Sequence, residues 1–437
     1  METNAGTLGL SAPFFTQNRT DLARALEEDT VLLVFAGRAP RRSADSEHIF
    51  LADRSFFYLT GFEEPEAVLL IAKHDGRVEE RLFLRPKDAQ RERWTGRRSS
   101  PEEAASVSGI ASVRTLDRYE TEFKDLIDSG SYRSVSLDLS GYDAHPGDDP
   151  VHRFASRIHA DHPHVLVENV HSRLAALRSL KKPEEVALLR VAIERTGRGI
   201  EAMAAACRPG AMEYEMAAAF RYAIAREGCA EPAFPSIVAT GRNAFFLHYD
   251  KPTARIEDGD LVQIDVGATF GGLNADISRS LPANGRFSPR QRELYSLVLR
   301  CQEAAFAALR PGVVVRDVNE ASREAAYLGL RDLKVLERRD QVDEYFWHGV
   351  SHHLGLDVHD IGSRSVPIEA GMVFTVEPGL YVPEWGMGIR IEDDALVTED
   401  GCVDLSPSIP KTIDAIERLM AEAGAVSTGK SARSSRQ

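Results

Sequence analysis

The sequence predicts a two-domain α+β protein, in which a smaller α/β domain precedes a larger domain of two related halves. Three observations carry this prediction. A chain of 437 residues is long for one hydrophobic core. Short apolar runs of strand type alternate with helically spaced stretches through the first 175 residues. Beyond them the order helix, Arg-Pro-Gly, helix, strand material occurs twice, on the order of a hundred positions apart, too few copies for a solenoid but enough for two halves. The division is 8–175 for the first domain, 180–423 for the second and 424–437 for a serine-rich, basic, disordered tail.

In the first domain, Thr30 to Phe35 (TVLLVF), Ala67 to Ala72, Arg81 to Leu84 and Ser134 to Leu139 read as strands, and Arg19 to Glu27 and Tyr119 to Leu126 as helices. Arg85 to Glu103 is polar and basic. It reads either as a solvated loop or as a loop reaching into a site, a neighbouring subunit's included, with Trp94 as its apolar tip. Leu180-Lys181-Lys182-Pro183-Glu184-Glu185 marks the boundary, because proline followed by acidic residues opens a helix well. That helix runs to Cys207, Arg208-Pro209-Gly210 stops it, and a second spans Met212 to Arg226. Later, Ser288-Pro289 caps a helix to Leu309, Arg310-Pro311-Gly312 stops it, and another runs from Arg316 to Leu328. A last helix covers Ile413 to Ala423.

Composition excludes several classes. Hydrophobic content of 43% and charged content of 27% are those of a soluble globular protein. A net charge of -14 disfavours nucleic acid and anionic membrane surfaces as partners. The opening METNAGTLGLSAPFF lacks the basic segment and apolar run of a secretory signal, and no stretch has the apolar length of a membrane span. Cys207, Cys229, Cys301 and Cys402 lack metal-knuckle spacing, so a reducing cytoplasm is the simplest location.

The chemistry-bearing residues lie in the second domain. In LVQIDVGATFGGLNADISR, residues 261–279, two strands flank a glycine-bearing turn and carry Asp265 and Asp276, eleven positions apart. Pairing across the hairpin can aim both carboxylates at one point, although the same residues can be plain turn-flanking aspartates. Two anions in apolar company repel, so one takes up a proton unless a cation sits between them. HGVSHHLGLDVHD, residues 348–360, concentrates His348, His352, His353 and His359. Its glycines disfavour a zincin-type helix and suit a strand or loop entering a cleft. Glu377 ends a strand before Pro378-Gly379, and Arg390 and Glu392 alternate with Ile389 and Ile391 at period two.

DVGATFGGLNAD, HGVSHHLGLDVHD, TVEPG and GIRIEDD, in this order, resemble the motif blocks of the proline-specific metallopeptidases of the pita-bread (methionine aminopeptidase-like) superfamily. The N-terminal RSADSE, FFYLTGFEEPEAVLL and RWTGRR resemble the aminopeptidase P branch. The resemblance covers nearly the whole chain and implies a pita-bread catalytic domain with pseudo-twofold halves. It places five metal ligands on Asp265, Asp276, His352, Glu377 and Glu392, with Asp276 and Glu392 bridging two ions. Four carboxylates and one imidazole suit two divalent ions, manganese first, with cobalt or zinc as alternatives.

By the same resemblance, His248 and His359 contact the scissile group, Glu377 shuttles a proton to the departing nitrogen, His348 lines the substrate pocket, and Arg390 would orient the metal-bound carboxylates beside that pocket; Trp94, as the tip of its loop, is the further candidate for substrate contact. The implied reaction is hydrolysis of an N-terminal Xaa-Pro bond by a metal-bridging hydroxide, in a cytoplasmic homodimer or homotetramer. The N-terminal domain would wall the cleft. An Xaa-Pro dipeptidase is the nearest alternative, ahead of a metal-free hydrolase or a silent binding protein on the same fold. Leu273, Ser278, Ser280 and His353 depart from the family's usual tyrosine, threonines and larger aromatic, which bears on pocket shape.

Overall fold

A computed structural model describes residues 9–140 and 149–434, with side chains to Gly424. It divides into two compact units, Met1–Arg178 and Ser179–Gln437.

The first unit is built on a six-stranded mixed sheet in the order Val113–Thr115, Arg77–Leu84, Val68–His74, Thr30–Phe35, Ser134–Leu137, Leu166–Asn169. Thr30–Phe35 is buried almost throughout and pairs antiparallel with Val68–His74 and parallel with Ser134–Leu137, so it reads as a continuous apolar run rather than an alternating one. The first helix, Ala12–Ala25, begins well before Arg19, with the Ser11 side chain capping it. Periodicity missed this because the buried face includes Arg19, whose guanidinium donates to Leu59 O and Ser108 O and pairs with Glu80 at 2.9 Å. The stretch expected to be a loop, 85–103, instead contains the helix Ala89–Thr95, capped by Asp88, and the start of Pro101–Ser108, which has a full capping box at Ser100 and Glu103.

The second unit contains the repeated helix pairs. Pro183–Ala206 packs with Glu213–Arg226, and Pro289–Ala308 with Val315–Asp332. Arg-Pro-Gly ends the first helix of each pair. Each half then supplies short antiparallel strands. One sheet has the order Ile277–Pro282, Leu261–Val266, Ile237–Thr240; the other has Val373–Val376, Asp393–Val397, Cys402–Asp404. A further ribbon pairs Gly379–Val382 with Met387–Arg390. The final helix is Ile413–Ser434. No helix among the described residues is long and apolar enough to cross a membrane.

Candidate metal centre

The first two carboxylates come from the Leu261–Val266 hairpin. Leu261 to Val266 pairs with Pro282 to Ile277 in unbroken register, setting Asp265 opposite Ser278. Beyond this ladder, Gly271 and Gly272 turn the chain with φ of 57° and 85°, the two positive values of a type I′ hairpin. At Gly267 the strands approach so closely that a Cβ would lie 1.8 Å from Ala275 O. Only glycine fits there, and Asp276 follows that carbonyl directly.

The other ligand candidates come from the second half. The histidine block is an irregular segment laid against Val373–Val376. Its backbone pairs through Leu354 N to Val373 O, Thr375 N to His352 O and Glu377 N to Val350 O. Across the hairpin, Val376 pairs with Asp393, which leaves Glu377 and Glu392 at the adjoining ends of the two strands.

One ligand atom each from Asp276, His352 and Glu392 lie within 4.8 Å of one another, and all three residues are buried. His352 Nδ1 lies 2.9 Å from His353 O, so Nδ1–H donates there and Nε2 presents its lone pair. That lone pair faces Asp276 Oδ2 and Glu377 Oε1, each at 3.5 Å. Burial, reinforced by neighbouring His359, pushes the His352 pKa down to about 3, so the ring is neutral. A lone pair facing two carboxylate oxygens is repulsive, and 3.5 Å is too long for a hydrogen bond. Asp265 Oδ1 and Asp276 Oδ1 are buried without a hydrogen-bond partner. Such a donor-poor, oxygen-rich pocket fits divalent cations.

The electrostatics agree. Asp276 and Glu392 are pushed well above the carboxylate range, first by burial. The next causes are Glu392 and Asp265 for Asp276, and Glu377 and Asp265 for Glu392. Glu377 is pushed up to about 8, again chiefly by burial. Asp265 therefore acts on all three of the other carboxyls.

A second ring of side chains fixes these candidate ligands. Arg390 donates from Nη2 to Asp265 Oδ2 at 2.6 Å, from Nε to Ser278 Oγ at 2.9 Å and from Nη1 to Tyr381 OH at 3.1 Å. Ser278 Oγ in turn donates to Glu392 Oε2 at 2.8 Å, so serine retains the hydroxyl of the family's usual threonine. Tyr381 OH lies 3.0 Å from His348 Nε2, while His348 Nδ1 lies 2.9 Å from Gly349 O and 3.6 Å from Glu377 Oε2. Asp276 N donates to Asp394 Oδ2 at 3.3 Å.

The predicted residues thus fall into three groups. Asp265, Asp276, His352, Glu377 and Glu392 converge, with Arg390 and His348 beside them. His359 is exposed and packs edge-on against the His352 ring at 4.3 Å. His248 is also exposed. Burial first, and neighbouring His248 after it, holds the His359 ring below the usual imidazole range. Trp94 belongs to the other unit, on the Ala89–Thr95 helix, where it is 88% exposed.

Sequence reasoning missed Tyr381, Asp394 and Glu213. Fully buried Glu213 accepts from Thr240 N (2.8 Å), Asn243 Nδ2 (2.9 Å), Tyr249 OH (3.0 Å) and Ala254 N (2.8 Å), and so ties down both ends of the segment carrying His248. Its place in the first turn of a helix is the sole sequence signal, and many exposed glutamates share it.

With a buried, cation-demanding carboxylate cluster between two related helix–strand halves, the molecule is a metallopeptidase of family M24. Residues 187–399 match that family's model, and residues 15–135 match the aminopeptidase P N-terminal domain. The chain is 36% identical to the Xaa-Pro aminopeptidase of Escherichia coli K12, over 95% of its own length and 99% of the relative's. It is 31% identical to human Xaa-Pro aminopeptidase 3, covering 90% and 82%. The solved E. coli aminopeptidase P with the inhibitor Pro-Leu superposes with a TM-score of 0.87 at 34% identity, covering 95% and 99%. Its zinc-substituted form with product gives the same values. The chain belongs to the Xaa-Pro aminopeptidase family.

Proposed function

We propose that this protein is a dimetal-dependent exopeptidase that removes an N-terminal residue when proline is second. The observation that carries the reading is the His352 lone pair held against Asp276 and Glu377 beside two partnerless carboxylate oxygens, in a chain 36% identical to an Xaa-Pro aminopeptidase.

Asp265, Asp276, His352, Glu377 and Glu392 would hold the ions, with manganese favoured by the oxygen-rich set and cobalt or zinc as alternatives. When bound, two divalent ions supply an acidified water as nucleophile and a counter-charge for the developing oxyanion. The chain's own residues do the rest. Glu377 would hand a proton to the departing proline nitrogen, which must be protonated to leave. His248 and His359 donate to the scissile group's oxygen, and His348 lines the pocket, oriented by Tyr381. Arg390 holds the Asp265 carboxylate and contacts the pocket. Trp94 serves the substrate pocket of a neighbouring subunit, in a cytoplasmic homodimer or homotetramer.

The test pairs a dipeptide with a tripeptide, both carrying proline second, after chelation and ion-by-ion restoration. Cleavage of the tripeptide with manganese is expected. Cleavage of the dipeptide alone would transfer the assignment to an Xaa-Pro dipeptidase, and cleavage unaffected by chelation would end the dimetal reading.

A further inference from the structure

Behind the carboxylate cluster, Gln302 reaches in from the Pro289–Ala308 helix and is 2% exposed. Its Nε2 donates to Val376 O at 3.0 Å, to Ile391 O at 3.3 Å and to Asp393 Oδ2 at 3.0 Å. Val376 and Ile391 are the residues immediately before Glu377 and Glu392.

The position of this amide follows from a break in the sheet. The hairpin pairs from Val373 with Leu396 to Val376 with Asp393, and pairing resumes at Gly379 with Arg390. Between these ladders stand Glu377 and Pro378 on one side and Ile391 and Glu392 on the other, and Pro378 has no N–H to give. Val376 forms the last rung of its ladder and Ile391 lies in the break, where Ile391 N donates to Pro378 O at 3.3 Å. Gln302 adds a side-chain donor to the carbonyls of both Val376 and Ile391. Asp393 does not depend on it, since Arg279, Lys411 and Ser406 also bind that carboxylate. The contact that nothing else duplicates is the bridge between the two carbonyls.

We propose that Gln302 is a positioning residue that fixes the separation of Glu377 and Glu392, and through it the spacing of the metal pair. One amide nitrogen close to both carbonyls limits how far the two strand ends can part. The inference rests on the metal-centre reading above, and the experiment separates the two.

Full-length wild type, Gln302→Met and Cys301→Ala are stripped of metal and titrated with Mn2+ by calorimetry. The Mn2+-loaded forms are examined by electron paramagnetic resonance for exchange coupling between the ions. Cys301 is a buried neighbour on the same helix and serves as the control for lost packing. Wild type is expected to bind two ions. Gln302→Met is expected to lose about tenfold or more in affinity for at least one ion, the usual effect of removing a group that orients a ligand, and to show altered coupling. Cys301→Ala should match wild type in both. If Gln302→Met does not fold, Gln302→Asn, which keeps the amide one methylene short, is expected to show the same loss. Wild-type affinity and coupling in the folded Gln302 variant overturn the inference while the metal reading stands. Failure of wild type to bind two ions overturns both.

Discussion

Replacing Arg390 by lysine keeps a positive charge but removes a planar fork, and replacing it by methionine removes both. The buried guanidinium serves three partners with three different nitrogens: Asp265, Ser278 and Tyr381. A lysine ammonium can occupy the Asp265 contact but cannot reach the other two in the same geometry. Two lost hydrogen bonds of about 1 kcal/mol each put the cost of Arg390→Lys near 2 kcal/mol. Methionine also leaves the Asp265 carboxylate buried without its cation, on the order of 3–5 kcal/mol. Urea unfolding of metal-stripped protein at neutral pH measures both values, and divalent ion should narrow the methionine deficit by neutralising Asp265. Peptidase activity should fall about tenfold or more in both variants, because the orientation of Asp265 and, through Ser278, of Glu392 is lost. A lysine variant within about 0.5 kcal/mol of wild type and fully active would show that charge alone matters and refute the argument from geometry.

Other outcomes follow from the same structure. Gly267→Ala places a methyl group 1.8 Å from Ala275 O, so the backbone before Asp276 must move; metal analysis of the purified variant should find fewer ions per chain than in wild type. Divalent ion at a hundred times its dissociation constant should stabilise the stripped protein by about 2.7 kcal/mol, visible as a raised thermal midpoint that chelation abolishes. Burial lifts the Glu185 carboxyl to about 7, from 4.5 when unfolded. The folded state therefore holds that proton more tightly. Its contribution, about 3 kcal/mol, is fully present below pH 4.5 and is lost as pH rises to 7. Urea unfolding across that window should fall less steeply for Glu185→Gln than for wild type. Tyr249→Phe removes one of the four donors to Glu213; the broadened imidazole resonances expected of a loosened His248 are read by NMR, and an unchanged His248 spectrum would speak against the tie.

The residues of the candidate site can be picked out along the chain because its parts are local. Asp265 and Asp276 share one hairpin, the histidines share one short block, and Glu377 and Glu392 adjoin strand breaks marked by proline and by period-two alternation. Thr30–Phe35 was legible for the same reason, as a continuous apolar run. The early start of Ala12–Ala25 was hidden, since a buried arginine sits where periodicity expects an apolar residue. The helix at Ala89–Thr95 buries no residue and so leaves no apolar stripe to read.

What the sequence determined by itself was the inventory: an acidic globular chain, two related halves, and the residue types that a hard-cation peptidase centre needs. Only the tertiary structure decided how those residues are held. Glu213 finds partners 27 to 41 positions away, Tyr381 meets His348 across 33, and Gln302 reaches carbonyls 74 and 89 positions distant. A hydrogen bond depends on distance and angle in space, and neither is encoded in the neighbours of a residue along the chain. The candidate ligand types are therefore written in short motifs, while several of the groups that surround them, Tyr381, Glu213 and Gln302 among them, lie outside those motifs.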